Sequence, residues 1–294
     1  MNTTRLDPEV RALQALTEGD PDAALHSTAS SSSVLGTALH RYLAAGPTLD
    51  GSVYTDPRAF QAFITGGGNV GLYAAASAAL AARYLDTAPT AVLDIGCGDG
   101  MALVPALEQA GRTVSRADLV ELSPALLRTA VQRVEELALP STAFAGSAQD
   151  FVRQLDPQAR WDVAQSTFAL HALPEEDRDD VLRALRTRVQ RLVVVEFDVR
   201  TADADRAEHL RFLASSYEQG LSEYEGEARA LVAAGFLMPV LVGQLLPGAS
   251  RMTYEQTADQ WSEQLRRCGY QHVERTELYP YWSSPAFLVT GTGS

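Results

Sequence analysis

The sequence predicts an α/β fold built on a doubly wound parallel sheet. Its composition is that of an ordinary globular protein, with 294 residues of which 46% are hydrophobic and 21% are charged. Short apolar runs alternate with helical patterns between residues 91 and 197, an order typical of parallel βαβ units. Five such repeats follow one another, so we expect a ligand at the carboxyl ends of the strands.

The first 84 residues have the pattern of helices. Apolar residues recur at helical spacing from Asp7 to Leu43, with a Ser-rich break, and Asp56-Pro57 begins a further helix. The run Gly66–Gly68 interrupts this pattern before an Ala-rich helix from Val70 to Tyr84. We expect residues 1–84 to form a helical N-terminal cap.

The alternating repeats occupy the middle of the chain. Each strand is predicted from an apolar run, and each helix from apolar residues that recur on one face. The predicted strands are residues 91–95, 116–121, 141–145, 161–166 and 192–197, and the predicted helices are residues 101–109, 124–137 and 174–188.

The pattern changes after the fifth strand. Helix-like spacing with an acidic cluster predicts an insertion over residues 200–255, which we expect to complete the substrate pocket. Residues 85–294 would then form the second domain, with this insertion inside it. A helix and a final hairpin complete the predicted sheet, at residues 256–267, 273–278 and 286–290.

Charge and composition exclude several functions. The formal net charge of −13 disfavours nucleic acid as a partner, because phosphate binding needs clustered positive charge. All 24 basic side chains are Arg, so lysine Schiff-base chemistry and a phosphate-binding P-loop lack their residue.

Cys97 and Cys268 support neither a disulfide framework nor a thiolate metal site, and they indicate a reducing cytoplasm. We also expect no signal peptide and no membrane span, since no run of 18 apolar residues occurs.

The segment Val92–Gly100 carries the main chemical signal. A hydrophobic strand leads into a glycine-rich loop, where the backbone can approach a ligand at a helix N-terminus. The loop lacks the third glycine of the dinucleotide motif and carries acids where a pyrophosphate would lie, which counts against NAD. An acidic loop suits a cationic ligand such as S-adenosylmethionine (SAM), which carries an ammonium and a sulfonium. Glu121, at the end of the second strand, can accept hydrogen bonds from both ribose hydroxyls.

Four successive motifs along the chain resemble those of class I SAM-dependent methyltransferases, and the resemblance covers roughly residues 85 to 200. The resemblance implies a Rossmann-like class I methyltransferase sheet, SAM as the cofactor, and transfer of a methyl group to a small molecule. The motifs are Val92–Gly100, Glu121–Pro124, Gly146–Asp150, and Trp161-Asp162 with Leu170-His171.

The same resemblance implies the cofactor-binding residues. Asp94 and the following glycines would line the methionine end of SAM, Glu121 would hold the ribose, and Leu122 would lie against the adenine. Position 147 departs from the family, which usually has Asp there, so the adenine contact could come from Gln149. A closing glycine segment would add Asn69 and Tyr73. The full expected set is Asn69, Tyr73, Asp94, Gly96, Cys97, Gly98, Glu121, Leu122, Ser147, Ala148, Gln149, Ser166 and Thr167.

Motifs outside this core resemble a narrower group, the bacterial methyltransferases of specialised metabolism that act on free arginine or its 2-oxo acid. These motifs are Tyr54–Pro57, Phe60–Phe63, Gly66–Tyr73, Gly235–Pro239 and Tyr279–Trp282. A guanidinium substrate needs planar carboxylate partners and aromatic faces. We therefore expect substrate binding by Phe63, Tyr224, Tyr281 and Trp282, and catalytic roles for His171, Glu196, Asp198, Glu218 and Glu223.

Two methylation reactions are compatible with a guanidino substrate. Methylation at C3 of 5-guanidino-2-oxopentanoate needs an enolate, usually formed with a metal held by His and carboxylate ligands. Of the five histidines only His171 falls at a predicted strand end, and no pair has ligand spacing, so we expect no metal. Methylation of a guanidino nitrogen of free L-arginine needs only carboxylates that position the nitrogen, and is the preferred hypothesis. Protein arginine methyltransferases carry a glutamate where this chain has Thr167, so the acids must come from elsewhere.

Each assignment has a structural alternative. His171 is either a general base or a residue held by one hydrogen bond. The glycine run either closes over SAM or ends a helix, although an end needs only one glycine. The cluster Glu218–Glu227 is either a substrate clamp or a solvated helix face. A SAM-binding protein without activity and an NAD oxidoreductase remain as rival functions, and a homodimer remains open beside a monomer.

Overall fold

The computed structural model describes residues 7–47, 56–200, 206–248 and 253–293. The motif residues Tyr54 and Thr55 lie outside the described residues. In chain order the elements are α1 (Asp7–Thr17), α2 (Pro21–Thr28), α3 (Val34–Ala44), α4 (Pro57–Ile64), α5 (Gly68–Thr87), β1 (Ala91–Ile95), α6 (Leu103–Ala110), β2 (Arg116–Glu121), α7 (Pro124–Glu136), β3 (Ser141–Ala145), α8 (Ala148–Arg153), β4 (Trp161–Thr167), α9 (Glu175–Arg186), β5 (Val189–Phe197), α10 (Arg206–Ser222), α11 (Gly226–Val232), α12 (Met238–Leu245), α13 (Ala258–Arg267), β6 (Gln271–Tyr279) and β7 (Ala286–Thr292).

These elements form two compact units. The predicted boundary after residue 84 falls inside α5, and the segment predicted as an insertion groups with the N-terminal helices. The helical unit takes the described residues of Met1–Val70, Thr201–Met252 and Tyr281–Ser283, and the sheet unit takes those of Gly71–Arg200, Thr253–Pro280 and Ser284–Ser294.

Among the described residues, seven strands form one sheet in the order β3-β2-β1-β4-β5-β7-β6. The strands β1 to β5 are parallel to their neighbours, whereas β7 is antiparallel to both β5 and β6. This arrangement confirms the predicted Rossmann-like α/β sheet with a closing hairpin. The carboxyl ends of the five parallel strands therefore lie along one edge of the sheet unit.

Both faces of the sheet are covered by apolar side chains, as a parallel sheet requires. Val92 and Val193 point into the core on one side, with residues of α5, α6 and α7. Leu93 and Leu192 point into the core on the other side, with residues of α9 and α13. Because successive residues of β1 and β5 face opposite cores, the sequence of both strands is predominantly apolar.

The helical unit has its own core, to which a long apolar helix contributes. The helix Gly226–Leu245 consists of α11, a π-helical turn and α12, and within the described residues it alone is long and apolar enough to cross a membrane. Val232, Phe236, Met238 and Leu241 are buried in the core of the helical unit, packed with residues of α1 and α3. Burial in a protein core accounts for the apolar composition of this helix.

Candidate functional site

The loop after β1 contains glycines whose backbone other residues rarely adopt. Gly96 and Gly98 have φ angles of +71° and +56°. A Cβ at Gly96 would lie 2.4 Å from the Cβ of Ala169, whereas a Cβ at Gly98 would meet nothing within 4 Å. The loop is therefore tightly packed at Gly96 and open at Gly98.

Glu121, at the end of β2, holds this loop by hydrogen bonds. Its Oε2 accepts a hydrogen bond from the backbone N–H of Gly98 at 3.0 Å, and its Oε1 accepts one from Ser123 at 2.8 Å. The next residue, Leu122, exposes 71% of its surface. The end of β2 therefore has an exposed apolar surface next to the anchored Glu121 carboxylate.

Asp94, on β1, is a buried acid. Its Oδ2 accepts a hydrogen bond from Nε2 of Gln165 at 3.1 Å, whereas its Oδ1 has no hydrogen-bond partner among the described residues. Burial raises the pKa of Asp94 to about 7, with a further increase from the charge of Glu121 and a decrease from the hydrogen bond of Gln165. Asp94 is therefore an acid with one unsatisfied oxygen, beside the glycine loop.

Cys97 is buried in the same loop, and its pKa is raised by burial and then by the charges of Asp94 and Glu121. A raised pKa disfavours the reactive thiolate.

The ends of β3 and β4 carry the other predicted cofactor residues of the sheet unit. Ser147 Oγ accepts a hydrogen bond from the Asp150 N–H at 3.0 Å and so caps α8, the helix that begins at Ala148. Gln149 Oε1 and Thr167 Oγ1 are buried without a hydrogen-bond partner in the described part of the chain. By contrast, Ser166 Oγ donates to the Ile95 carbonyl at 2.9 Å.

Tyr73 lies in an aromatic group of the sheet unit. Its ring packs edge-on against Phe168 with centroids 5.8 Å apart, and Phe168 stacks on Phe197 at 4.6 Å. Phe168 directly follows β4 and Phe197 ends β5, so this group lies at the carboxyl ends of two neighbouring strands.

His171 and Glu196 form a pair at the same edge of the sheet. The Nδ1 of His171 lies 2.8 Å from Glu196 Oε2, and the His171 backbone N–H donates to Glu196 Oε1 at 3.1 Å. Burial lowers the pKa of His171, whereas the charge and hydrogen bond of Glu196 and the charge of Glu255 raise it, and the resulting pKa lies above the usual value. The second predicted acid, Asp198, accepts a hydrogen bond from the Ala258 N–H at 2.8 Å at the start of α13.

The backbone around His171 is held by a buried arginine. Arg178 on α9 donates to the carbonyl of Tyr254 at 3.1 Å, and the Tyr254 N–H in turn donates to the His171 carbonyl at 2.6 Å. Gln256 and Gln264 accept two further hydrogen bonds from the same guanidinium. Arg178 cannot be identified from the sequence pattern, because its partners lie up to 86 positions away.

The predicted aromatic residues and Asn69 meet within the helical unit. Tyr224 donates its hydroxyl to the Phe63 carbonyl at 2.8 Å, and Tyr281 donates to Asn69 Oδ1 at 3.1 Å. The Asn69 amide nitrogen donates to the Phe63 carbonyl at 2.9 Å and to the Tyr224 hydroxyl at 3.4 Å. Because both polar atoms of the Asn69 side chain are engaged in this network, its contact with SAM stays a prediction.

The two predicted acids of the helical unit bind the first turns of helices. Glu218 accepts hydrogen bonds from the N–H groups of Val34 and Leu35, at 3.1 and 2.6 Å. Glu223 accepts one from the Gly68 N–H at 2.8 Å, where α5 begins. Carboxylates at helix N-termini satisfy free N–H groups and interact favourably with the helix dipole. A role of either acid in holding substrate stays a prediction.

Close packing explains why three glycines stand together before α5. A Cβ at Gly66 or Gly67 would lie 2.8 or 2.9 Å from the ring of Tyr224, and one at Gly68 would lie 3.0 Å from the Glu223 carboxylate. Trp282 similarly packs over a glycine, because a Cβ at Gly220 would lie 2.6 Å from its ring. Closure of this run over SAM stays a prediction.

Metal-ligating side chains do not cluster in the described ranges. No group of three or more His, Cys, Asp or Glu side chains there could hold a metal ion. The expectation of a metal-independent reaction stays a prediction.

Residues 92–191 match the protein family described as Methyltransferase domain. The match spans 100 of the 294 residues, and together with the strand order of the sheet it supports a class I methyltransferase, the class of enzyme that uses SAM as methyl donor. The predicted class of enzyme and its cofactor are thereby confirmed.

Two solved structures share the fold over most of the chain. One is magnesium protoporphyrin IX methyltransferase (ChlM) from Synechocystis PCC 6803 with bound SAH, at 16% identity and a TM-score of 0.51, covering 77% of this chain and 85% of that one. The other is the mitomycin 7-O-methyltransferase MmcR, at 18% identity and a TM-score of 0.50, covering 96% of this chain and 75% of that one. At such identities the likeness establishes the fold alone.

A third structure, of a candidate O-methyltransferase from Nostoc punctiforme PCC 73102, has 15% identity and a TM-score of 0.50. The match covers 74% of this chain but only 55% of that protein's length. No curated protein sequence matches the chain.

The residues at the strand ends fit SAM. The unsatisfied Oδ1 of Asp94 can accept from an ammonium, and the open backbone at Gly98 leaves room for a ligand. Glu121 is anchored where ribose hydroxyls would bind, and the exposed Leu122 offers an apolar surface for a base. When bound, SAM supplies an electrophilic methyl group on a sulfonium.

Proposed function

We propose that this chain methylates a small molecule whose reacting atom loses a proton to His171. The observation that carries the proposal is the His171–Glu196 pair at the carboxyl ends of β4 and β5. A carboxylate acceptor favours the ring proton at Nδ1, which leaves Nε2 as the basic nitrogen. In the described part of the chain no protein hydrogen bond engages Nε2.

Proton removal is the chemical contribution that these two side chains can make. A nucleophile that attacks a sulfonium methyl group is stronger once its proton has left, and a positioned imidazole is the side chain most often used for that step. Glu196 orients the ring and stabilises the imidazolium that forms. Asp94, Glu121 and the glycine loop would meanwhile hold the methyl donor in place.

For the substrate we propose the guanidino group of free L-arginine, within a pathway of specialised metabolism such as antibiotic biosynthesis. Support comes from the acidic chain, whose net charge is −13, and from the acids Glu196 and Asp198 at the end of β5. Each carboxylate oxygen has two acceptor sites, so the hydrogen bonds that these acids already make leave capacity for a guanidinium. Glu218 and Glu223 are proposed to assist in the same way.

C3-methylation of 5-guanidino-2-oxopentanoate is the second candidate. The same His171–Glu196 pair favours it, because a carbon acid next to an oxo group must also lose a proton before it can be methylated. A protein that binds SAM without catalysing transfer is the rival from another class of function.

The deciding experiment incubates the purified protein with SAM and either L-arginine or 5-guanidino-2-oxopentanoate, with and without a chelator. Products are located by mass spectrometry with fragmentation. A methyl group on the guanidinium, unaffected by chelator, supports the preferred substrate. A methyl group on carbon favours the second candidate, and no product from either overturns the guanidino substrate class.

The role of the base has a matched pair of variants. His171→Asn should lose most of the activity while retaining SAM, whereas His272→Asn changes an exposed histidine of β6 and should act as the unmodified protein does. Equal activity of both variants would contradict a proton transfer through His171.

The setting of the enzyme is also part of the proposal. We infer a cytoplasmic enzyme, because both cysteines are free and buried, as suits a reducing compartment. A homodimer is proposed as an alternative to a monomer, and light scattering of the purified protein distinguishes them.

A further inference from the structure

Three buried polar side chains form a line inside the sheet unit. Tyr84 comes from α5, Gln165 from β4 and Asp94 from β1, and each exposes 2% of its surface or less. The Tyr84 hydroxyl donates to Gln165 Oε1, and Gln165 Nε2 donates to Asp94 Oδ2 at 3.1 Å. Gln165 and Asp94 are also register partners in neighbouring strands. The amide of Gln165 therefore connects a hydroxyl to an acid.

The rotation of the Gln165 amide determines which form of Asp94 is favoured. With its N–H toward Asp94, the amide donates to a carboxylate and stabilises the charged form. Rotated by half a turn, it would present its carbonyl to Asp94, which could then be accommodated only as the protonated acid. The two rotations thus correspond to two protonation states of one carboxyl group.

Tyr84 distinguishes between the two rotations. In the described part of the chain, Gln165 is the hydrogen-bond partner of the Tyr84 hydroxyl. A rotated amide would place its N–H groups against that hydroxyl and leave the buried O–H without an acceptor, which is unfavourable. The hydroxyl of Tyr84 therefore selects the rotation in which the amide N–H faces Asp94.

We propose that Tyr84 is a positioning residue, which fixes the Gln165 amide so that Asp94 is kept as a carboxylate beside the glycine loop. The proposal rests on the proposed function in one respect, since it is SAM whose ammonium the carboxylate would receive. Tyr84 itself lies on a helix and acts only through Gln165.

The other groups around Asp94 make this help necessary. Glu121 on β2 is an acid whose charge acts on Asp94, and Cys97 in the glycine loop is a thiol whose own pKa is raised by burial and by Asp94, Glu121 and Asp99. Burial and Glu121 favour the protonated acid, and the hydrogen bond from Gln165 favours the carboxylate. Because the resulting pKa of about 7 lies near physiological pH, a small change in that hydrogen bond changes the population of the charged form.

The first test measures Asp94 in the protein without ligand. Carbon-13 NMR of the aspartate carboxyl groups, with Asp94→Asn to assign the signal, gives the midpoint of its titration. Tyr84→Phe should raise the midpoint by about one pH unit, because the amide becomes free to rotate. Tyr270→Phe is the matched control, since Tyr270 is another buried tyrosine of the sheet unit and donates to the Leu182 carbonyl. An unchanged midpoint in Tyr84→Phe overturns the proposal.

The second test measures binding of S-adenosylhomocysteine by calorimetry from pH 6 to pH 9. The ratio of dissociation constants, Tyr84→Phe over unmodified protein, cancels the titration of the ligand. It should rise from near one at pH 9 to about tenfold at pH 6, as the fraction of charged Asp94 falls sooner in the variant. A ratio that is the same at every pH indicates a general packing defect and overturns the proposal.

Two outcomes separate this proposal from the proposed function. If the unmodified protein binds no S-adenosylhomocysteine at any pH, the proposed function fails, while the titration of Asp94 still decides the role of Tyr84. If Tyr84→Phe does not fold, Gln165→Met takes its place, because it removes the donor to Asp94 with little change of volume. That variant should raise the midpoint as well, and an unchanged midpoint counts against the proposal.

Discussion

The carboxylate of Glu196 holds His171 at two points, the ring Nδ1 at 2.8 Å and the backbone N–H at 3.1 Å. One side chain at the end of β5 thereby fixes both the imidazole and the backbone of a residue that follows β4. A general base needs this constraint, because proton transfer depends on the position of one nitrogen to within a few tenths of an ångström.

Glu196→Gln should lower kcat by about 10- to 100-fold and move the acidic limb of the kcat profile to lower pH. Burial lowers the pKa of His171 and the charge of Glu196 raises it, so without that charge the imidazole stays neutral in more acidic solution. A pH series of initial rates measures both effects. Glu274→Gln, an exposed change on β6, serves as the control, and an acidic limb at the same pH in both variants would refute the pairing.

Asp94→Asn should stabilise the ligand-free protein at pH 8 while preventing SAM binding. The folded pKa near 7 lies above the usual 3.8, so the folded state keeps a proton that the unfolded state has lost. Stability from this group is therefore full below pH 3.8 and is lost as the pH rises to about 7, up to about 4 kcal/mol.

Urea unfolding of Asp94→Asn at pH 5 and pH 8 checks this, with the free energy of unfolding relative to the unmodified protein larger at pH 8. Asp86→Asn, at an exposed position of α5, should show no such dependence. A difference that does not grow with pH would be inconsistent with a charged, buried Asp94.

Glu121→Ala should weaken binding of S-adenosylhomocysteine by about 10- to 100-fold, because it removes the acceptor for ribose hydroxyls and also the hydrogen bonds that hold Gly98 and Ser123. Calorimetry at one pH is sufficient. Glu121→Gln keeps one oxygen acceptor and should lose less affinity than Glu121→Ala. Equal affinity of all three proteins would remove Glu121 from the cofactor site.

Glu218→Ala should lower the free energy of unfolding by about 1–2 kcal/mol, because the N–H groups of Val34 and Leu35 lose their acceptor. Glu227→Ala, an exposed acid of the same cluster, should change it little. Denaturant titration gives the difference, and the KM for arginine of Glu218→Gln shows separately whether this side chain also holds substrate.

Much of the sheet unit could be predicted from the sequence. The strands β1, β2 and β3 begin and end at the predicted residues, because each apolar run is bounded by turn-forming residues. The helix α8 was not predicted, since six residues are too few to show a helical period. Ser147, which caps it, was interpreted from the family resemblance as a ligand contact, although Ser three positions before Asp is also a helix-start pattern.

The contacts of the acids could not be predicted, because they join distant parts of the chain. Glu218 binds backbone groups 184 and 183 positions away, and Glu223 binds Gly68 at a separation of 155. Spacing within a segment contains no information on such partners. The sequence does indicate a specific hydrogen bond for Gln165, since a single amide inside a buried strand usually has a specific partner.

The burial of Cys97 between two acids also has a practical consequence for the protein's chemical durability. A thiol whose ionisation is opposed by burial, Asp94 and Glu121 reacts slowly with peroxide, maleimides and disulfides, all of which attack the thiolate. The glycine loop should therefore remain unmodified during long handling in air, and mass spectrometry after exposure to iodoacetamide should find Cys97 unlabelled in the folded protein. Methyl transfer would then be insensitive to the redox state of its surroundings, even though a cysteine lies between the two glycines of the loop.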